Sequence, residues 1–356
     1  MAQLLHNINS IRDFHDFLVF WCAVIVRDFL GRFMTRLDIN RFQGTVARVV
    51  KFAGVGLHTG KMVQVEVLPA PPQFGIQFER TDLNDSQAIL AHPDNILSTT
   101  LCTTIGKGGQ SISTIEHLMA AFSGLGVDNA LVKVNTCELP ILDGSAAPFV
   151  DKLNEVGVQI QNVKRKILIP QSTVEVRSGD QFMRLEPYSN TSGNEPSKSQ
   201  QLYFNCSIDF PISQAIGYQD IGLSFSRRNF MDLCEARTFC HINDVNSMRS
   251  QGLARGGSLD NAVVVDHNKV MNNDGLRYKD EFVRHKLLDC IGDLALLGAR
   301  LTGRLTLHKA GHGLHALLTK KLLQDGICKT LPDSNQNFGI NSVDGLGLAA
   351  MAKKEA

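Results

Sequence analysis

Two stretches decide the fold: Ser111–Gly126, SISTIEHLMAAFSGLG, and Glu281–Gly298, EFVRHKLLDCIGDLALLG. Both read as helices, with apolar residues recurring at three- and four-residue intervals. Aligning His117 with His285 sets HLMAAFSGLG over HKLLDCIGDL, so apolar residues coincide at 119/287 and 120/288 and Gly124 falls on Gly292. The echo is short and chance is its rival. It predicts two domains, each carrying an equivalent helix with a His near its start.

Outward from these helices the chain reads mostly as strands. VARVVKFA, MVQVEVL, GIQFER, ALVKVN, KILI, TVEVRS, FMRLEP, LYFNCSIDF, IGLSF and RLTLHK carry β-branched or alternating apolar residues. Helices are predicted at 114–124, 146–156, 227–236, 280–298 and 313–324. Strands come in runs, which predicts an α+β fold of layered sheets and helices and not a doubly wound parallel sheet. The expected organisation is an extension over 1–40, a first domain over 41–163, a second over 164–330 and a disordered tail over 331–356. Ser189–Gln201 is polar and reads as a surface loop. Phe17–Val26 is an apolar run of ten residues, too short to span about 30 Å of hydrocarbon. Residues 1–33 read as a non-native extension or an upstream start; the competing reading is an interfacial amphipathic anchor.

The 356 residues are 43% hydrophobic and 20% charged, enough apolar material to exclude a wholly disordered chain. Thirty-six basic against 35 acidic residues leave a net charge of +1 and no global field for nucleic acid. The 8 Cys contain no C-x-x-C pair and read as reduced thiols of a cytoplasmic protein. Any metal must then be held by His, Asp or Glu.

His285 and Asp289 stand four apart on one helical face and could share a divalent cation. Asp293, another turn on and rotated about 40° further, is better placed to orient a neighbour. The bland alternative is a solvated polar face. On the earlier helix Ile115, Leu118, Met119 and Phe122 form the core stripe, while His117 has Ala120 and Ala121 as neighbours, small residues that suggest close approach. Ser113 and Glu116 form an S-x-x-E capping box, which alone could explain the Glu. With His117, His285 and Asp289 on one ion, Glu116 could reach a water activated there.

HKAGHGLH places His308, His312 and His315 after a strand; a His on such a Gly-rich turn can act as a general acid, or belong to a solvated loop. Thr238 could donate to a developing oxyanion, or be simply a Thr at a helix end. GVGLHTGK suggests a phosphate loop, but a strand follows it, and Val55 and Met62 stand where a P-loop needs Gly and Ser or Thr. It reads as a tight turn presenting His58. Rival functions are a nucleotide-dependent kinase using that loop and a non-catalytic sugar-nucleotide or lipid-binding protein.

GVGLHTGK, STIEHLMAA, GVDN, ELPILDGSAAPFV, ARTF, LRYKDEFVRHKLLDCIGDL and KAGH, taken in order from about Thr45 to Asp325, resemble the UDP-3-O-acyl-N-acetylglucosamine deacetylase family. These are zinc amidases of lipid A synthesis in Gram-negative bacteria. The resemblance implies two domains of similar topology with the active site at their interface. It implies one Zn²⁺ per chain on His117, His285 and Asp289, a set that also suits Fe²⁺. Glu116 would be general base, His312 the cationic proton donor oriented by Asp293, and Thr238 the oxyanion support. Phe239 would pack on the sugar and Lys286 meet the nucleotide diphosphate, with His58 and Cys102 in weaker substrate-proximal roles. The implied substrate is UDP-linked acylated glucosamine, taken by a cytoplasmic monomer with no nucleic-acid partner and at most transient contact with a membrane surface. His241–Arg255 is the stretch with which the family shapes its acyl-chain passage. One departure stands out: His315 replaces an expected Asn three residues after the KAGH histidine.

Overall fold

The protein, seen in a computed structural model, is described at residues 41–188 and 201–331. The readings of the extension at 1–40, its apolar run, the polar loop at 189–200 and the tail beyond 331 lie outside the described residues. The mixture of sheets and helices is α+β. Among the described residues no sheet joins a strand before residue 165 to one after it.

Two five-stranded sheets carry the architecture, and they are built alike. The first runs Val50–Val55, Met62–Pro69, Ala130–Val134, Ile76–Arg80, Ile89–Leu90 across its width. The second runs Val174–Ser178, Gln181–Glu186, Gly303–His308, Leu202–Phe210, Gly217–Ser224. In both, the last strand in sequence inserts at the centre, and successive pairings are antiparallel, antiparallel, parallel and antiparallel. Alternation sets each register: Val63, Val65 and Val67 are buried in the first sheet, as are Leu202, Phe204, Cys206 and Ile208 in the second.

The helices are α1 (Glu116–Leu125), α2 (Ala147–Val156), α3 (Arg227–Leu233), α4 (Ile242–Ser250), α5 (Glu281–Leu294) and α6 (His312–Leu322). α1 and α5 occupy equivalent places, each just before the central strand of its sheet; α2 and α6 each follow that strand. Each repeat also carries a three-stranded sheet in the same gap, at Ile96–Ile112 and at Phe239–Val270. The echo between the two His-bearing helices therefore reflects matching topology. α4 was not legible as a helix: it buries no side chain and so has no apolar stripe.

α1 and α5 pack directly on one another. A Cβ placed on Gly292 of α5 would lie 2.0 Å from the Glu116 carbonyl oxygen, so the backbones meet where only hydrogen fits. Ala120 and Ala121 are fully buried beside this crossing. Replacing a mid-helix glycine by alanine ordinarily stabilises by about 1 kcal/mol. Here Gly292→Ala should instead destabilise by about 1–3 kcal/mol through overpacking. A raised melting temperature for that variant would contradict so close a crossing.

The capping box is corrected by the structure. Thr114 adopts φ 59°, a left-handed conformation costly for a β-branched residue, and turns the chain so that α1 opens at Glu116 itself. The Ser113 hydroxyl donates to the Cys137 carbonyl at 3.2 Å, leaving the Glu116 carboxylate free for another donor.

Candidate metal centre and cavity

One stripe of α5 contradicts the solvated-face reading. Glu281, His285, Asp289 and Asp293 follow each other at four-residue intervals, and none is more than 3% exposed. Buried charges at this density need partners. Glu281 has them in Arg237, whose Nε donates at 2.8 Å, and in the Arg277 backbone N–H at 2.6 Å. This pins the segment ahead of α5 and the Ala236–Phe239 strand entrance together.

His285 and Asp289 meet His117 across the helix crossing. The His285 Nδ1 lies 3.0 Å from the Ala236 carbonyl, which can only accept, so the proton sits on Nδ1 and Nε2 presents a lone pair. That Nε2 faces Asp289 Oδ1 at 3.3 Å, with His117 Nε2 3.6 Å from the same oxygen. Asp289 Oδ1 is buried with no hydrogen-bond partner among the described residues. A lone pair and a carboxylate oxygen confronting each other in a buried site repel unless a proton or a metal cation lies between them. One donor atom from each of His117, His285 and Asp289 falls within a 4.8 Å span. The residues fit a divalent metal.

Charges around the trio support that fit. Burial lowers the His285 imidazole to about 4, so it is neutral and ready to ligate at physiological pH. Burial opposes ionisation of Asp289, yet its neighbours, His285 and Lys286 foremost, hold its carboxyl well below the ordinary range. Lys286 Nζ donates to Asp289 Oδ2 at 3.0 Å, holding the carboxylate so that its other oxygen meets His117 and His285.

The next turn of α5 reaches α6. Asp293 Oδ2 lies 2.7 Å from His312 Nδ1, and Asp293 Oδ1 accepts from the Thr103 hydroxyl at 2.5 Å. Burial works against a charge on His312, but Asp293 beside it raises the imidazole to about 9. Burial likewise opposes the Asp293 charge, and His312 overcomes it to bring the carboxyl to about 2. At neutral pH the two form an ion pair with Nε2–H of His312 directed away from Asp293 and 3.9 Å from Asp289 Oδ2. Glu116 accepts the Thr103 backbone N–H at 3.0 Å; burial pushes its carboxyl up, while His312 and His117 pull it back.

A cavity of about 1030 Å³ opens beside this cluster, with Lys286 in its wall. Thr238, Phe239 and His58 line it with apolar Leu57, Phe210 and Val264. α4 forms another part of the wall, through Ile242 and Met248. Phe239 stands edge-on to Phe282 at 4.9 Å and to Phe210 at 5.8 Å. Thr238 lies beyond α3, where its backbone N–H donates to the Gly144 carbonyl at 2.7 Å; it caps no helix. His58 sits in the hairpin between Val50–Val55 and Met62–Pro69, a connection that leads into no helix and so carries no phosphate-loop geometry. Glu138, fully buried, holds that hairpin by accepting the His58 and Thr59 backbone N–H groups at 2.7 and 2.8 Å.

Not every singled-out residue joins the cluster. His308 turns to Ser207, 2.9 Å from its hydroxyl. Cys102 is buried outside the cavity wall, its thiol pushed to about 12 by burial first and by Glu116 second. His312 is not on a flexible turn: it is the first residue of α6, with Gly311 ahead of it. Thr103, which bonds both Glu116 and Asp293, carries no spacing signal in the sequence, being a lone Thr in a loop. The Ala236 carbonyl was equally invisible, being backbone.

Comparison with known proteins gives one consistent result. The family described as UDP-3-O-acyl N-acetylglycosamine deacetylase matches residues 43–324. A relative named UDP-3-O-acyl-N-acetylglucosamine deacetylase from Citrifermentans bemidjiense is 44% identical over 291 residues, 82% of this chain and 92% of its own. One of the same name from Methylococcus capsulatus is 44% identical over 283 residues, 79% of this chain and 90% of its own. Another from Myxococcus xanthus is 40% identical over 309 residues, covering 86% and 93%.

Proposed function

Since the chain belongs to the UDP-3-O-acyl-N-acetylglucosamine deacetylase family, we propose that it hydrolyses the N-acetyl group of UDP-3-O-(3-hydroxyacyl)-N-acetylglucosamine, releasing acetate, in lipid A biosynthesis. The observation that carries the reading is the buried Asp289 oxygen, faced by two imidazoles and without a hydrogen-bond partner among the described residues, with Glu116 and a cationic His312 in the same cluster.

His117, His285 and Asp289 would hold one Zn²⁺, a set that Fe²⁺ also suits. Bound there, the ion would polarise the amide carbonyl and acidify water, the two contributions such a cation makes to hydrolysis. Glu116 takes a proton from the attacking water. Its burial favours that role, because a carboxylate raised above its ordinary range is a stronger base. The Thr238 hydroxyl donates to the oxyanion that grows on the carbonyl oxygen. His312, protonated and paired with Asp293, gives its Nε2 proton to the amide nitrogen as the C–N bond breaks. Acetate and the free amine leave.

Phe239 offers a ring face to the sugar, and Lys286 a positive charge to the diphosphate. His58 lines the cavity that would take the substrate, whereas Cys102, buried outside the cavity wall, is given no part in binding it. The acyl chain occupies the cavity, whose apolar walls suit it. The two-sheet organisation supports reading 41–163 and 164–330 as two domains with the site between them. The seven described cysteines are free and no described helix is long and apolar enough to cross a membrane; we read the protein as a cytoplasmic monomer.

The test is metal content beside deacetylase activity for wild type and His285→Ala. The wild type should hold about one equivalent of metal, and the variant should lose metal and activity together, since a two-ligand site binds far more weakly. A His285→Ala protein that keeps both would remove the metal centre from the reading.

A further inference from the structure

Asp293 is held by more donors than the proposed reaction uses. His312 Nδ1 and His315 Nδ1 both lie 2.7 Å from its Oδ2, and the Thr103 hydroxyl donates to its Oδ1 at 2.5 Å. The three donors come from two elements outside α5: His312 and His315 from the first turn of α6, and Thr103 from the segment just before the strand Thr104–Lys107.

His315 is 1% exposed, and its ring stands perpendicular to that of His312 with centroids 5.8 Å apart. Asp293 Oδ2 only accepts, so His315 carries its proton on Nδ1, and Nε2 has no partner among the described residues. An apolar side chain would fill this place without an unmet nitrogen. What the imidazole adds is its single N–H to Asp293.

We propose that His315 is a positioning residue for the deacetylation: with Thr103 it clamps Asp293 from both oxygens and so fixes the orientation of His312. A carboxylate can turn about its Cβ–Cγ bond and exchange its oxygens. With one donor it would carry His312 through a range of angles; with three donors from two elements it is fixed. The Nε2–H of His312 is then aimed before substrate arrives, which is where orientation contributes to rate. The inference rests on the reading of His312 as proton donor.

The experiment compares His315→Leu, His315→Asn and His312→Ala in the metal-loaded full chain, with metal content and melting temperature recorded for each. Asn places an amide N–H where Nδ1–H stood; Leu fills the volume without a donor. His315→Leu should lose kcat by about tenfold or more, as expected of a lost orienting hydrogen bond, with KM and metal content little changed. His315→Asn should recover to within about threefold of wild type, which a purely packing role would not produce. The proposal is overturned if His315→Leu turns over like wild type, or if Asn is as slow as Leu at equal metal content. Imidazole proton NMR gives a readout independent of turnover. Wild type should show an Nδ1–H signal from each of the two histidines bonded to Asp293, and His315→Leu should lose one and shift the other; an unmoved His312 signal refutes the clamp even if the substrate were a different amide. Failure of the functional reading is separate: it appears as His312→Ala turning over normally.

Discussion

Replacing Glu116 by Gln should slow turnover by roughly 10²–10⁴-fold, the usual weight of a general base, while metal content stays that of wild type. Glu116 is not among the three facing donors: its carboxylate is met by the Thr103 backbone N–H and not by His117, His285 or Asp289. Gln retains an acceptor for that N–H, so the local fold persists and only the basicity is lost. The measurement is kcat with metal stoichiometry on one sample. Normal turnover in Glu116→Gln would remove the base from the mechanism.

His312→Ala should cost kcat a comparable factor of about 10²–10⁴ and also change the shape of its pH dependence. The folded-state imidazole is raised to about 9 by Asp293, against the opposing effect of burial. It is therefore protonated below that value and loses its proton as pH rises through it. As a proton donor it gives wild type a rate that falls on the alkaline side near pH 9. The alanine variant should be slow throughout and lack that fall. A variant that keeps the alkaline limb would assign the titration to another group.

Much of this was legible in the residues, and the limits have physical causes. The four-residue spacing of His285 and Asp289 is a property of one helix and can be read without coordinates. The small residues at Ala120 and Ala121 pointed to close approach, and the Gly292 contact shows how close. What failed was local chemistry with two competing outcomes. Ser113 and Glu116 have the spacing of a capping box, but the reversal at Thr114 starts the helix too late for it. Gly311 and Gly313 flank His312 as they would in a turn, yet Gly311 precedes the helix and His312 opens it. Thr103 and the Ala236 carbonyl act through contacts distant in sequence, for which one chain offers no pattern.

The gaps filled by the two small sheets have a consequence for how such an enzyme can diversify. The His117, His285 and Asp289 donors stand on two helices that meet backbone to backbone, so their spacing tolerates little change. Much of the cavity wall instead comes from Phe239–Val270 and the hairpin at His58, which hang outside that crossing. With the acyl chain placed in this cavity as proposed, longer, shorter or branched tails call for rewriting these outlying loops alone, while the three donors keep their places.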